Sequence, residues 1–329
     1  VQSVRRRLIS IPGVVLAAVA LVALLPLWLV LAALADAVRL RFRFPTVRLL
    51  AFALGWTWLE TVGVVSAAWL WSTGRSRDTA RHYALQRWWA RNLMAWLRIT
   101  TGIRVEARGL DAFTPGPTVL LCRHASLADS LVSAWVLTDL VGATPRYVLK
   151  RELLADPCLD VVGNRLANYF LDRTASDSLA ELDALRALSA GMDPTDVAVI
   201  FPEGTRASPQ KRIRALQKIG ERDPDRAQLL AQLQHLIPPR PAGAQALLEG
   251  CPEADVVVAW HTGFDGLDTF GGILRHLARP SRPVVFSAER IPRADVPSGD
   301  AFTAWIDQHW LRIDAFVDEH LYATVLERD

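Results

Sequence analysis

Thr118-Val-Leu-Leu-Cys-Arg-His-Ala-Ser-Leu-Ala-Asp129 decides the architecture of this chain. Thr118–Cys122 is an unbroken apolar run, short enough to read as a strand buried on both faces. Ser126–Val141 reads as a helix, so His124 falls in the turn where strand becomes helix. Such strand-exit turns open onto the crevice of an α/β sheet, where ligands bind. Outward from this unit the alternation continues. Arg146–Leu149, Asn168–Leu171, Val197–Phe201, Asp255–Trp260 and Val284–Ser287 read as strands. Ser178–Ala190, Gln210–Gly220, Ala227–His235, Ala242–Leu248 and Ala301–Leu326 read as helices. The expected fold class is α/β, a mostly buried sheet flanked by helices.

The first quarter of the chain follows another rule. Leu8 to Ala35 contains no charged side chain over 28 residues, and about 20 apolar residues suffice to span a bilayer. Leu49 to Trp71 is a second apolar run, interrupted only by Glu60. A secretory signal is shorter in its apolar part, so the run is expected to be a retained membrane segment. Glu60 inside it is expected near headgroups or beside an arginine. Arg5, Arg6 and Arg7 precede the first run, and Arg39, Arg41, Arg43 and Arg48 separate the two. Arg75, Arg77, Arg81, Arg87 and Arg91 follow. The two runs either span the bilayer or form a hairpin in one leaflet, and positive flanks put the large domain on the cytoplasmic side. Thr79 to Leu97 is an amphipathic helix, lying on the membrane or packed on the domain. The expected organisation is a membrane-embedded helical hairpin at 1–74, a juxtamembrane helix at 75–99 and an α/β domain at 100–329. Beginning at Val1 rather than a methionine, the chain leaves its natural N-terminus open.

Composition excludes several classes. The net charge of +3 comes from arginines that flank apolar runs, without any nucleic-acid module. Cys122, Cys158 and Cys251 lie far apart with no CxxC pair, and no P-loop or GxGxxG occurs. Neither a metal nor a bound cofactor is expected.

The chemistry lies in three blocks. His124 and Asp129 have the spacing in which a carboxylate orients an imidazole base. That spacing alone is weak, since about 0.5 occurrences are expected by chance in this composition. A second copy, His309 and Asp314, sits in continuous helix, where five positions turn the side chains about 140° apart. Phe201-Pro-Glu-Gly-Thr-Arg206 follows a strand, and its Gly204 permits a tight turn while Arg206 presents a planar fork to a phosphate. Glu203 is expected to hold that fork or a substrate hydroxyl. The middle block is Phe170-Leu-Asp-Arg173.

Together and in this order, the three blocks resemble the glycerolipid acyltransferase family, over roughly Ile103 to Trp260. The resemblance implies direct transfer of a fatty acyl group from acyl-CoA or acyl carrier protein (acyl-ACP) to the hydroxyl of lysophosphatidic acid. It implies His124 as base and Asp129 as its orienting carboxylate. Glu203, Gly204, Thr205, Arg206, Arg173, Asp172 and Phe170 are implied in substrate binding. Lys150 and, in the proline-containing turn Ile237–Gly243, Arg240 are further candidates for the phosphate. The implied partners are membrane lipid and the acyl carrier, at a bacterial inner membrane. Another lysophospholipid or lipid alcohol as acceptor, and a lipid-binding homologue without catalysis, remain as alternatives. A serine hydrolase is disfavoured, because no G-x-S-x-G elbow surrounds Ser126.

Overall fold

The computed structural model describes residues 2–172, 178–264, 266–267, 269–280 and 283–326, with backbone alone at residues 2, 178 and 322–326. Four helices come first: α1 (Gln2–Ala23), α2 (Leu25–Val38), α3 (Pro45–Ser72) and α4 (Thr79–Thr101). The apolar run at Leu8–Ala35 is therefore two helices rather than one. Pro26 has no N–H to continue the ladder, and the helix is interrupted one residue after Ala23. α1 and α3 are long and apolar enough to cross a membrane; α2 is too short. α3 returns against α1 and α2, forming the hairpin. Asp36 fixes the return, accepting from Thr46 N (2.8 Å) and Thr46 Oγ1 (2.7 Å) at the start of α3.

The hairpin is tied to the rest of the chain by polar contacts. Arg6 and Arg7 both pair with the fully buried carboxylate of Asp160, at 2.8 and 3.1 Å. Glu60, also fully buried, accepts from Trp89 Nε1 (2.8 Å) and Cys158 N (3.1 Å). The carboxyl of Asp156 also shares a hydrogen bond with it, so its partners are an indole, a backbone amide and a second carboxyl, not the arginine or headgroup expected. These donors satisfy a buried carboxyl without a counter-charge. α4 is packed on the domain, burying Ala90, Met94 and Leu97 against the sheet.

The α/β part contains β1 (Val105–Arg108), β2 (Thr118–Cys122), α5 (Asp129–Trp135), β3 (Thr144–Lys150), β4 (Tyr169–Leu171) and α6 (Ser178–Ser189). It continues with β5 (Asp196–Ile200), α7 (Pro209–Gly220), α8 (Pro224–Leu230), α9 (Pro241–Gly250) and β6 (Asp255–Thr262). α10 (Phe270–Leu277), β7 (Val284–Ile291) and α11 (Asp300–Leu326) complete it. The strand order is β1-β7-β6-β2-β5-β3-β4. β6, β2, β5, β3 and β4 run parallel, while β7 is antiparallel to β6 and carries β1 beside it.

β2 lies at the centre of the sheet with every residue buried. Its side chains alternate between two cores, as the period of two demands. Val119 and Leu121 face α6, α8, α9 and α11, where Leu247, Phe302 and Trp310 are fully enclosed. Leu120 and Cys122 face α4 and α5, with Met94, Val132 and Phe286. β2 and β5 end in register, Leu121 opposite Ile200, so the two turns that follow them emerge side by side.

Candidate active site

The turn after β2 is built around one carboxylate. Asp129 is the first residue of α5, where the partial positive charge of the helix end favours an anion. Its Oδ2 accepts from Ala125 N (2.6 Å), Ser126 N (2.8 Å) and His124 Nδ1 (2.9 Å). Its Oδ1 accepts from Ser126 Oγ and lies 3.0 Å from His261 Nε2. Burial by itself pushes the Asp129 carboxyl up, but the adjacent His261 and His124 outweigh it and hold the group well below the usual carboxylate range. An ionised Asp129 fixes the proton of His124 on Nδ1 and leaves Nε2 as the basic nitrogen. The His124 ring rests on Phe201, centroids 4.9 Å apart.

The turn after β5 supports the same histidine. Glu203 is 1% exposed and bridges two backbones. Its Oε1 accepts from His124 N (2.8 Å) and its Oε2 from Ile237 N (3.1 Å). Burial is the largest influence on this carboxyl and pushes it up to about 8, against the opposing pull of those amides and of Arg123. Ala207 N donates to the His124 carbonyl (2.9 Å), closing the link between the turns. Gly204 adopts φ +68°, which a side chain would strain. Arg240 N donates to Pro202 O (2.9 Å), bringing the proline-containing turn to the same place.

These turns border a cavity of about 600 Å³ whose wall includes His124, Lys150, Asp172, Gly204, Arg206 and Arg240. Three cations and His124 thus face a common space, with the carboxylates of Asp172 and Glu181 also on its wall. A second recess of about 200 Å³ adjoins it across Leu127, Ser130, Leu149 and Leu153. That recess is mostly apolar and runs between α4 and β3 towards Glu60 and Trp89.

The remaining candidates are placed differently. Glu203, Thr205 and Phe170 do not line the cavity. Glu203 braces the backbone, and Phe170 packs on the apolar core from β4. Asp172 lines the cavity and accepts from Arg151 Nη1 at 2.5 Å. Arg173 lies outside the described residues. The second His–Asp copy is separated as helix geometry requires: His309 packs on Trp305, while Asp314 caps Gln234 N, His235 N and Leu236 N. Among the described residues, no group of three His, Cys, Asp or Glu side chains is arranged to hold a metal.

Sequence reading assigned no part in the site to His261. Alternation along β6 is the signal that finds it. Val257 and Ala259 belong to the core under α5, and His261 continues that face at the strand's end. Cys122 pairs with Ala259, so two further residues on each strand bring His124 and His261 level.

Fold and site together define a class: an α/β domain with a carboxylate-oriented histidine beside a cation-lined cavity at the open end of its parallel strands. Known proteins narrow it. A family model described as Acyltransferase matches residues 104–239. The 1-acyl-sn-glycerol-3-phosphate acyltransferase of Pseudomonas aeruginosa is 30% identical over 127 residues, 39% of this chain and 47% of that protein. This chain thus spans about half the length of the curated relative it matches. The crystal structure of PlsC, the 1-acyl-sn-glycerophosphate (LPA) acyltransferase of Thermotoga maritima, shares the fold with a TM-score of 0.52 at 16% identity. That likeness covers 83% of this chain and 96% of the other. Residues 104–239 thus carry an acyltransferase-type domain similar to that of a glycerolipid acyltransferase, in a fold shared with the solved structure.

Proposed function

We propose that this chain is a membrane-bound O-acyltransferase that converts lysophosphatidic acid to phosphatidic acid, with acyl-CoA or acyl-ACP as donor. The observation that carries the reading is His124, locked by Asp129 and facing the same cavity as Lys150, Arg206 and Arg240. The cations suit a phosphate monoester, with Arg206 and Arg240 offering planar forks. His124 Nε2 takes the proton of the acceptor hydroxyl as its oxygen attacks the thioester carbonyl. The tetrahedral adduct collapses with cleavage of the C–S bond. The departing thiolate takes the proton back from the imidazolium, and the ester is left on the acceptor. Asp129 stabilises the imidazolium between these steps.

The apolar recess beside the cavity suits the acyl chain, with Leu131 and Leu149 on its wall. α1 and α3 support membrane association, with the catalytic domain on the cytoplasmic side by the positive flanks. The test is acyl transfer by detergent-solubilised protein, using acyl-CoA or acyl-ACP with lysophosphatidic acid. Lysophosphatidylcholine and a His124→Ala variant serve as controls. Phosphatidic acid that disappears in the variant is the expected result. Transfer only to lysophosphatidylcholine moves the acceptor, and no transfer from either donor overturns the reading.

A further inference from the structure

His261 has no evident reason to be a core residue. Its side chain is 1% exposed, yet neither ring nitrogen has an aligned hydrogen-bond partner among the described residues. Phe264 packs edge-on against the ring, centroids 5.3 Å apart. Burying an imidazole this way is costly unless something compensates. The compensating group is Asp129: Nε2 stands 3.0 Å from Oδ1, off the axis of a linear hydrogen bond but close enough for an N–H dipole to act on the carboxylate. Oδ1 is the oxygen opposite the one that holds His124. The carboxylate is therefore held between two imidazoles, one facing the cavity and one sealed behind it.

We infer that His261 is a positioning residue, which acts through Asp129 to set the orientation and basicity of His124. The inference rests on the acyl-transfer reading for its catalytic consequence, not for its structural content. A positive ring edge against Oδ1 keeps the carboxylate ionised and draws some of its charge away from His124. Its removal leaves Asp129 more strongly attracted to the His124 proton, which raises the pH at which His124 gives that proton up. The other charged or titratable groups facing this cluster stay in place. They are Arg123, whose guanidinium donates to the His261 carbonyl, Glu203 at the His124 amide, and Cys122 on β2.

The experiment follows His124 directly, so that it does not depend on finding the right substrate. The rate of diethylpyrocarbonate modification at His124 is measured against pH by peptide mass spectrometry, in wild type, His261→Gln and His261→Leu. In the leucine variant the midpoint is expected to rise by about half a unit to one unit. The glutamine variant, whose amide N–H reaches the place of Nε2, is expected to stay near wild type. With acyl transfer as the second readout, kcat in the leucine variant should fall roughly tenfold with little change in KM, and its acid limb should move to higher pH. His261→Met replaces the leucine variant if that one does not fold. An unchanged His124 midpoint in a folded leucine or methionine variant overturns the inference, as does an equal shift in the glutamine variant. A midpoint shift in the leucine variant, together with wild-type protein that transfers no acyl group to any acceptor, refutes the proposed activity instead and leaves the link between His261 and His124 standing.

Discussion

Replacing Glu203 by glutamine separates a brace from a substrate ligand. In the folded chain both carboxyl oxygens accept from buried backbone amides, those of His124 and Ile237. Glutamine keeps one acceptor and turns an NH2 towards the other amide. That orphaned donor costs about 1–3 kcal/mol at any pH. A second effect depends on pH, because burial raises the Glu203 carboxyl from 4.5 to about 8. Between those values the unfolded chain has lost the proton and the folded chain has kept it. Wild-type stability therefore falls as the pH rises through this window, by about 1.4 kcal/mol per unit and about 5 kcal/mol in all. The glutamine variant has no such slope. At pH 5 it should melt below wild type, and at pH 8.5 the order should narrow or invert, a relative swing on the order of 10 °C. Tryptophan fluorescence of the detergent-solubilised proteins, with 12 tryptophans as reporters, measures both melting curves. A melting gap that stays constant from pH 5 to 8.5 refutes the buried, proton-retaining carboxyl. A variant that melts like wild type throughout and changes only KM for the acceptor refutes the brace.

Other substitutions test the remaining parts. Arg206→Ala should raise KM for a phosphate-bearing acceptor by about 10- to 100-fold, the worth of a charge-assisted contact, while Arg206→Lys recovers part of it; steady-state kinetics against lysophosphatidic acid reads this. Leu153→Trp, at the wall shared by cavity and recess, should lower kcat/KM selectively for long-chain donors. Excluding four methylenes is worth about 3 kcal/mol, or roughly 100-fold, in a competition between long and short acyl donors. Gly55→Ala should destabilise the contact of α3 with α4 by about 1–3 kcal/mol, because the new Cβ would stand 1.9 Å from Trp96 Nε1. Its readout is the apparent melting temperature, with kcat per folded molecule unchanged.

How far the chain could be read from its letters depended on whether each signal was local. The strands β2 and β5 are continuous apolar runs because both faces of the central sheet are covered, and such runs announce themselves. β1 has only Val105–Arg108, half exposed at the sheet edge, and its short alternation with charge was not read as a strand. The site divides in the same way. His124, Gly204 and Arg206 sit in turns directly after buried strands, and the family resemblance of their motifs, not spacing alone, grouped them in one site. The role of Glu203 was not readable, since its partners are two backbone amides, one of them 34 residues away in sequence. His261 was further from reach, because its link to Asp129 crosses from β6 to α5 over 132 positions and uses no motif. Strand parity carries that information, but only once β6 is known to lie beside β2 in parallel register. The same knowledge explains why the decoy at His309 fails. A spacing of five joins two side chains only where a turn lies between them, and the fold alone says which of two identical spacings has one.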